Sequence, residues 1–189
     1  FAMRSQQKCA AANRSGVFAN EIVSVKIKQQ SGDMIEVNCD EHPRADVSLE
    51  KLAQLPSING DAATVTAGNS SGINDGAAAL LLASENVFEK YGLAPLARIV
   101  ATATAGVPPR VMGIGPVQAS RKALTKAGLD IENIDVIEIN EAFAAQGIAC
   151  LRELGVADDA PHVNPNGGAI ALGHPLGMSG ARLVLTACY

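Results

Sequence analysis

The fold class of this chain is decided by residues 135–144, DVIEINEAFA. Residues 135–140 form a short run rich in isoleucine and valine, which predicts a buried strand, and residues 141–154 have the apolar spacing of a helix. A strand that passes directly into a helix is the repeating unit of α/β proteins. We therefore expect an α/β protein with a layered core.

The same alternation extends outward from this stretch. Ser48 and Ser84 are predicted helix starts, and Gly92 and Gly128 are predicted helix stops. Period-2 alternation on both sides of a polar turn predicts a hairpin of half-buried strands early in the chain. The predicted strands are 21–28, 34–37, 77–83, 97–104 and 135–140; the predicted helices are 1–13, 48–55, 84–91, 117–127, 141–154 and a last helix after residue 180.

Composition excludes several classes of protein. The 189 residues carry a net charge of −4, and aromatic side chains make up 3% of the chain, so a basic, aromatic nucleic-acid surface is not expected. The apolar run at 77–83 is far shorter than the roughly 20 residues of a membrane span. The spacing of the cysteines and histidines fits no metal site, and we expect four unpaired thiols in a reducing cytoplasm. The cysteines are Cys9, Cys39, Cys150 and Cys188, and the histidines are His42, His162 and His174.

The ends of the chain are unusual for a natural domain. It begins at Phe1 without an initiator methionine and stops at Tyr189 inside a helix-like run. We expect an internal or C-terminal piece of a longer protein.

Two polar segments are candidate sites. In the first, Asn140 and Glu141 stand between a strand and a helix, where unpaired polar groups cost about 1–3 kcal/mol. They are either functional or simply a helix cap and a first-turn carboxylate. The second, residues 164–180, is NPNGGAIALGHPLGMSG, in which His174 is surrounded by glycines. Imidazole is well suited to moving protons near neutral pH.

At these segments the chain resembles the thiolase family, the acetyl-CoA C-acyltransferases. The NEAFA and NPNGGAIALGHPLG strings carry the resemblance. RSQQK at 4–8, TAGNSSGINDGAA at 66–78 and GIGP at 113–116 extend it over essentially the whole chain. Residues 40–44 and 176–180 are most similar to the thiolases that act on 3-oxoadipyl-CoA in aromatic-acid catabolism.

The resemblance implies a layered α/β/α/β/α fold of two similar halves, with a loop domain inserted in the first. Residues 1–67 would be the later part of the loop domain, residues 68–92 the end of the first half, and residues 93–189 most of the second half.

The resemblance also implies an activity, CoA-dependent cleavage of a 3-oxoacyl-CoA to acetyl-CoA and a shortened acyl-CoA, or the reverse condensation. CoA and acyl-CoA thioesters would be the binding partners, no cofactor would be needed, and the full enzyme would be a homo-oligomer. His174 would take the proton of a nucleophilic cysteine, Asn140 would hold a water in an oxyanion hole, and Glu141 would orient that network. The CoA- and substrate-binding positions would be Ser71, Arg44, Ala67, Gly68, Ala142 and Phe143.

The nucleophilic cysteine and the second catalytic cysteine of the family have no matching position in these 189 residues. Cys188 lies in the terminal helix without a glycine-rich turn, so we do not expect it to be catalytic. The isolated chain is therefore expected to be inactive. Two alternatives stay open: a truncated, non-catalytic homologue that binds CoA or a partner subunit, and a ketoacyl-synthase-type condensing enzyme.

Overall fold

The computed structural model describes residues 1–60 and 63–189. Short 3₁₀ turns at Val17–Asn20, Pro109–Ile114 and Ile131–Asn133 connect the main elements. Those elements are, in chain order, α1 (Ala2–Ser15), β1 (Val25–Lys28), β2 (Met34–Val37), α2 (Leu49–Ala53), α3 (Glu85–Tyr91), α4 (Gly115–Ala127), α5 (Ala144–Leu154), α6 (Ala169–Leu172) and α7 (Ser179–Cys188).

Most of the predicted helices form, because their start and stop signals are local. The Ser48 hydroxyl accepts a hydrogen bond from the Lys51 backbone N–H at 3.2 Å and so caps α2. Gly92 and Gly128 end α3 and α4 in the left-handed conformation, with φ of 63° and 68°. The helices predicted at the start of the chain, at 48–55, at 84–91 and at 117–127 are thus confirmed to within a few residues.

The predicted hairpin also forms, but it is not half-buried. Strands β1 and β2 pair in antiparallel register, with Val25 opposite Val37 and Ile27 opposite Ile35. These side chains form one apolar face, and Ile27 and Ile35 are each 44% exposed. Seven of the eight residues of the two strands are exposed, so the expected burial is wrong.

The other three predicted strands do not become regular strands. Residues 77–83, 97–104 and 135–140 all lie in the described part of the chain, and their only ladder contact there is an isolated parallel bridge between Ile137 and Val163. A strand satisfies its backbone by pairing with a neighbour, which no local sequence pattern supplies. The described residues therefore hold one two-stranded sheet within a mainly helical structure.

Helix α5 begins at Ala144 rather than at Glu141. The chain stays extended through Phe143, whose φ and ψ are −141° and 140°. It is held there by the small-residue loop: the Ser71 N–H donates to the Ala142 carbonyl at 3.0 Å, and the Ala144 N–H donates to the Asn69 carbonyl at 2.8 Å. Asn140 and Glu141 are consequently outside the helix, and the helix-cap interpretation of them is wrong.

The core consists of separate clusters of buried side chains. α1 packs on α6 through a small cluster in which Cys9 and Ala171 are fully buried. The larger cluster joins α4, α5 and the segments at 137–139 and 156–163; its members are Val117, Ile139, Cys150, Leu151, Val156, Ala160 and Val163. Within the described ranges, every helix falls short of the length and apolarity that a membrane crossing needs.

Candidate active site

Glu141 is the centre of a buried polar network that fixes the loop carrying His174. Its side chain is 1% exposed. One carboxylate oxygen accepts from the Ser5 hydroxyl at 2.6 Å and from the Ile170 N–H at 3.1 Å, and the other accepts from the Asn164 side-chain amide at 2.8 Å. A carboxylate buried this completely is stable only when several donors surround it. Glu141 therefore ties α1, residue 164 and α6 to the segment that carries Asn140.

At two positions of the loop, a neighbouring side chain comes so close to the backbone that only glycine fits. A Cβ on Gly168 would collide with the Glu141 carboxyl group. Gly173 has a φ of +95°, and a Cβ there would come within 2.5 Å of the Asn74 side-chain oxygen. That oxygen accepts from the His174 N–H at 3.1 Å, so the glycine lets Asn74 hold the histidine backbone.

The side chains of His174 and Asn140 meet, as the sequence predicts. The Asn140 amide nitrogen lies 3.3 Å from His174 Nε2. On the other side of the ring, His174 Nδ1 lies 2.5 Å from the Ser179 hydroxyl oxygen. That hydroxyl also lies 3.1 Å from the Pro175 carbonyl, to which it can only donate.

One tautomer of His174 satisfies both Ser179 contacts. When the Ser179 hydroxyl donates to the Pro175 carbonyl, its oxygen accepts from His174 Nδ1, which then carries the ring proton. Nε2 is then left with a lone pair, which can accept from the Asn140 amide or take a proton from a reacting group. His174 is thus oriented as a base, with an amide donor beside its reactive nitrogen.

The small-residue loop that holds predicted binding residues pairs with the chain segment that follows Glu141. Ala67 and Gly68 occupy a turn in which the Asn69 N–H donates to the Thr66 carbonyl at 3.2 Å. From this turn the chain runs antiparallel to residues 142–144, which places Ser71 beside Ala142. The adjoining Phe143 is 42% exposed. The structure therefore brings Ser71, Ala142 and Phe143 together, with Ala67 and Gly68 in the turn that leads into this pairing.

Arg44 lies outside that pairing. Its side chain is exposed, and its backbone N–H donates to the Gln6 side-chain oxygen at 2.8 Å. Two residues earlier, His42 Nδ1 lies 3.3 Å from the Asn74 amide nitrogen. Arg44 is therefore held at the end of a segment that reaches the site through His42 and Asn74.

Comparison with protein-family models identifies both parts of the chain. Residues 1–86 match the model described as "Thiolase, N-terminal domain", and residues 93–189 match "Thiolase, C-terminal domain". The chain belongs to the thiolase family.

Named relatives and solved structures agree with this assignment. The chain is 64% identical to the β-ketoadipyl-CoA thiolase of Pseudomonas aeruginosa over all 189 residues, which are 47% of that relative's length. It superposes on the Bacillus anthracis acetyl-CoA acetyltransferase with a TM-score of 0.95 at 46% identity, covering 99% of this chain and 47% of the other. It superposes on the human mitochondrial 3-ketoacyl-CoA thiolase in complex with CoA with a TM-score of 0.92 at 45% identity, covering 99% and 46%. The expected layered thiolase fold is thereby confirmed, and the chain spans about half the length of these relatives.

Sequence reasoning missed several residues of this thiolase site. Ser179 follows His174 by five residues and opens α7, so the H-P-x-x-x-S spacing was the available signal. Asn74 was part of a motif, but its contact with a residue 100 positions away has no sequence signature. Ser5 and Asn164, the side-chain partners of Glu141, were quoted in motifs without a role.

The four thiols of the chain lie in different environments. Cys9 and Cys150 are fully buried, Cys39 is exposed, and Cys188 is in α7. Burial raises the pKa of the Cys9 thiol to about 11, and the carboxylates of Asp40 and Glu141 act in the same direction. Cys9 is therefore a thiol at neutral pH and not a nucleophile.

Among the described residues, no group of three or more His, Cys, Asp or Glu side chains is arranged to hold a metal ion.

Proposed function

We propose that this chain is the part of a thiolase that carries its catalytic histidine, and that the full-length protein cleaves a 3-oxoacyl-CoA with free CoA, or runs the reverse condensation. The observation that carries the proposal is the 3.3 Å contact between Asn140 and a His174 whose Nδ1 is held by Ser179. Products of the cleavage are acetyl-CoA and a shortened acyl-CoA.

His174 supplies the base. Its free Nε2 takes the proton of a cysteine thiol in the remainder of the enzyme, which raises the fraction of nucleophilic thiolate. The protonated ring then donates toward the thioester oxygen. Asn140 holds a water next to the same oxygen, and a preorganised donor of this kind is worth about 3–4 kcal/mol. Glu141 does not take part in the proton transfer. It holds the glycine loop in a fixed position relative to Asn140.

The finer assignments rest on similarity. The name of the Pseudomonas aeruginosa relative favours 3-oxoadipyl-CoA as the substrate and aromatic-acid catabolism as the context. The CoA complex of the human structure favours CoA binding along Ser71, Ala67, Gly68, Ala142 and Phe143. We place the full enzyme in the cytoplasm as a homo-oligomer, and we divide this chain at residues 67 and 92 into the three parts given above.

The direct test is turnover of 3-oxoadipyl-CoA and acetoacetyl-CoA by the full-length protein. His174→Ala should lower kcat at least roughly a hundredfold, because a positioned base contributes 10²–10⁴-fold. Its dissociation constant for CoA should stay within about twofold. His162→Ala is the matched control, since the His162 contact shown is a backbone carbonyl bond to Ile137, and it should retain kcat. Absence of turnover by the unmodified protein on both substrates would overturn the proposal.

Arg44 is tested by the Michaelis constant for CoA. Arg44→Ala should raise this constant about 10- to 100-fold with kcat nearly unchanged, because one charge-assisted contact to a phosphate is worth about 1.5–3 kcal/mol. Arg14→Ala, which removes another exposed arginine at the end of α1, should leave it unchanged. Equal constants for the two variants at moderate salt would remove Arg44 from the CoA path.

A further inference from the structure

A buried ion pair lies just outside the residues that the proposed reaction uses. Arg182 Nη1 lies 3.0 Å from Glu138 Oε2, and the two side chains are 12% and 4% exposed. The second oxygen of Glu138 and the Nη2 of Arg182 are buried without a hydrogen-bond partner among the described residues. Desolvation makes such a pair a weak source of stability, and an apolar pair of similar volume often serves the fold as well. The ion pair is therefore better explained as a contact that fixes the relative position of the two segments it joins.

The pair connects the two segments that carry the site. Glu138 stands two residues before Asn140, and side chains two residues apart in an extended segment point to the same side. Arg182 stands three residues after Ser179 in α7, on the same face of that helix. The extended segment and the helix are thus joined twice: by Glu138 with Arg182, and by Asn140 with His174, whose ring is held by Ser179.

We propose that Glu138 and Arg182 are positioning residues that set the separation between Asn140 and His174. Neither touches the reacting atoms; both act through the spacing between the extended segment and α7. The proposal rests on the proposed function, because that spacing matters only if Asn140 and His174 serve one thioester. A misplacement of about 1 Å at a reacting group can cost about a hundredfold in rate, so a loosened pair should lower kcat by roughly 10- to 100-fold.

The charges around Glu138 provide an independent readout. Burial raises the pKa of the Glu138 carboxyl to about 7, against the lowering effect of Arg182 from α7. Glu141 on the same segment and Glu21, to which Thr186 of α7 donates at 2.9 Å, also raise it. Lys8 of α1 is a further charged group that interacts with Glu138. Because the folded-state pKa is raised, the carboxyl becomes neutral as the pH falls below about 7, and the ion pair is lost there. Activity that depends on the pair should decline on the acid side of pH 7.

The test compares single and double variants of the full-length protein. Arg182→Met leaves the buried Glu138 carboxyl without its partner and should lower both the unfolding midpoint and kcat. The double variant Glu138→Gln with Arg182→Met removes both charges at similar volume. It should recover the unfolding midpoint while kcat stays 10- to 100-fold low and the Michaelis constant for CoA stays within about twofold. Arg152→Met breaks an exposed ion pair with Asp158 at the end of α5 and should change none of these quantities.

The pH profile and the conservative variant complete the test. Arg182→Lys keeps the charge and should recover part of the lost kcat. The decline of kcat below pH 7 should be smaller in Glu138→Gln than in the unmodified protein. Full kcat in the double variant, or an identical acid decline in Glu138→Gln, would overturn the positioning role. Absence of turnover in the unmodified protein would instead overturn the proposed function, so the two failures are distinguishable.

Discussion

At the scale of single residues, the hydroxyl of Ser179 favours one orientation and one tautomer of the His174 ring. In the tautomer that satisfies both of its contacts, it accepts from Nδ1 and donates to Pro175, which leaves Nε2 without the ring proton and able to act as a base. Without it, the ring can rotate or adopt the other tautomer, in which Nε2 carries the proton. Only part of the population would then be competent to deprotonate a thiol.

Ser179→Ala should therefore lower kcat roughly tenfold while the Michaelis constant for CoA changes little, because a competent tautomer is part of the 10²–10⁴-fold value of a positioned base. Steady-state kinetics of the full-length protein measure both quantities. Ser84→Ala is the control, since Ser84 begins α3 without a side-chain capping bond, and it should behave like the unmodified protein. Equal kcat in the two variants would show that the tautomer does not depend on Ser179.

The Cys9 thiol should be unreactive for reasons of pKa and access together. A pKa of about 11 instead of 9.0 lowers the thiolate fraction at pH 8 from about a tenth to about a thousandth. Iodoacetamide should label the exposed Cys39 at least a hundredfold faster than Cys9, and peptide mass spectrometry reads both sites. Labelling in urea is the control, since unfolding should bring the two rates close together. Similar rates in the folded protein would contradict the buried position of Cys9.

At the scale of elements, the sequence correctly predicted the helices whose ends are fixed by contacts within a few residues. α2, α3 and α4 follow from Ser48, Gly92 and Gly128, each of which acts within its own turn. The start of α5 was misplaced by three residues because the loop at 69–71, distant in sequence, pairs with residues 142–144. The strands predicted at 77–83 and 97–104 failed because pairing needs a second strand, which residue patterns cannot supply.

The residues of the candidate site also fall into those that the sequence could predict and those that it could not. The meeting of Asn140 and His174 could be predicted because both stand in long, specific motifs. Ser179 had a signal in its H-P-x-x-x-S spacing after His174, but Asn74 and Arg182 could not be predicted, because their contacts exist only in the folded chain.

The approach of the glycine loop to the extended segment can be tested at Gly168. Gly168→Ala places a Cβ against the Glu141 carboxyl group and within 2.7 Å of the Asn164 amide nitrogen, where the surroundings are fully buried. Overpacking of this kind should lower the free energy of unfolding by about 1–3 kcal/mol. Gly177→Ala is the matched control, since a Cβ there meets nothing within 4 Å. Urea unfolding of the full-length protein measures both changes; a Gly168 variant as stable as the Gly177 variant would contradict the close packing.

At the scale of the whole molecule, apolar side chains are exposed on the segments that were predicted as strands. Leu81 is 82% exposed, Leu82 71% and Val100 67%. The chain covers 47% of the length of its Pseudomonas aeruginosa relative. We infer that these segments pair and pack against the remainder of a full-length thiolase, and that the 189 residues by themselves are marginally stable and associate.

The 189-residue chain on its own should have no thiolase turnover. The proposed reaction needs a cysteine to carry the acyl group and a second acid–base group at the α-carbon. Cys9 and Cys150 are buried, Cys39 is exposed and Cys188 lies in α7. Among the described residues, the hydrogen-bond partners of His174 are Asn140, Asn74 and Ser179, and none of them is a thiol. Groups that stabilise charge can lower a barrier, but they cannot replace the covalent step. Purified chain with acetoacetyl-CoA and free CoA should lose 3-oxoacyl absorbance no faster than buffer, whereas the full-length protein should consume it. Turnover by the chain that disappears in Cys188→Ser would contradict this prediction and make Cys188 the nucleophile.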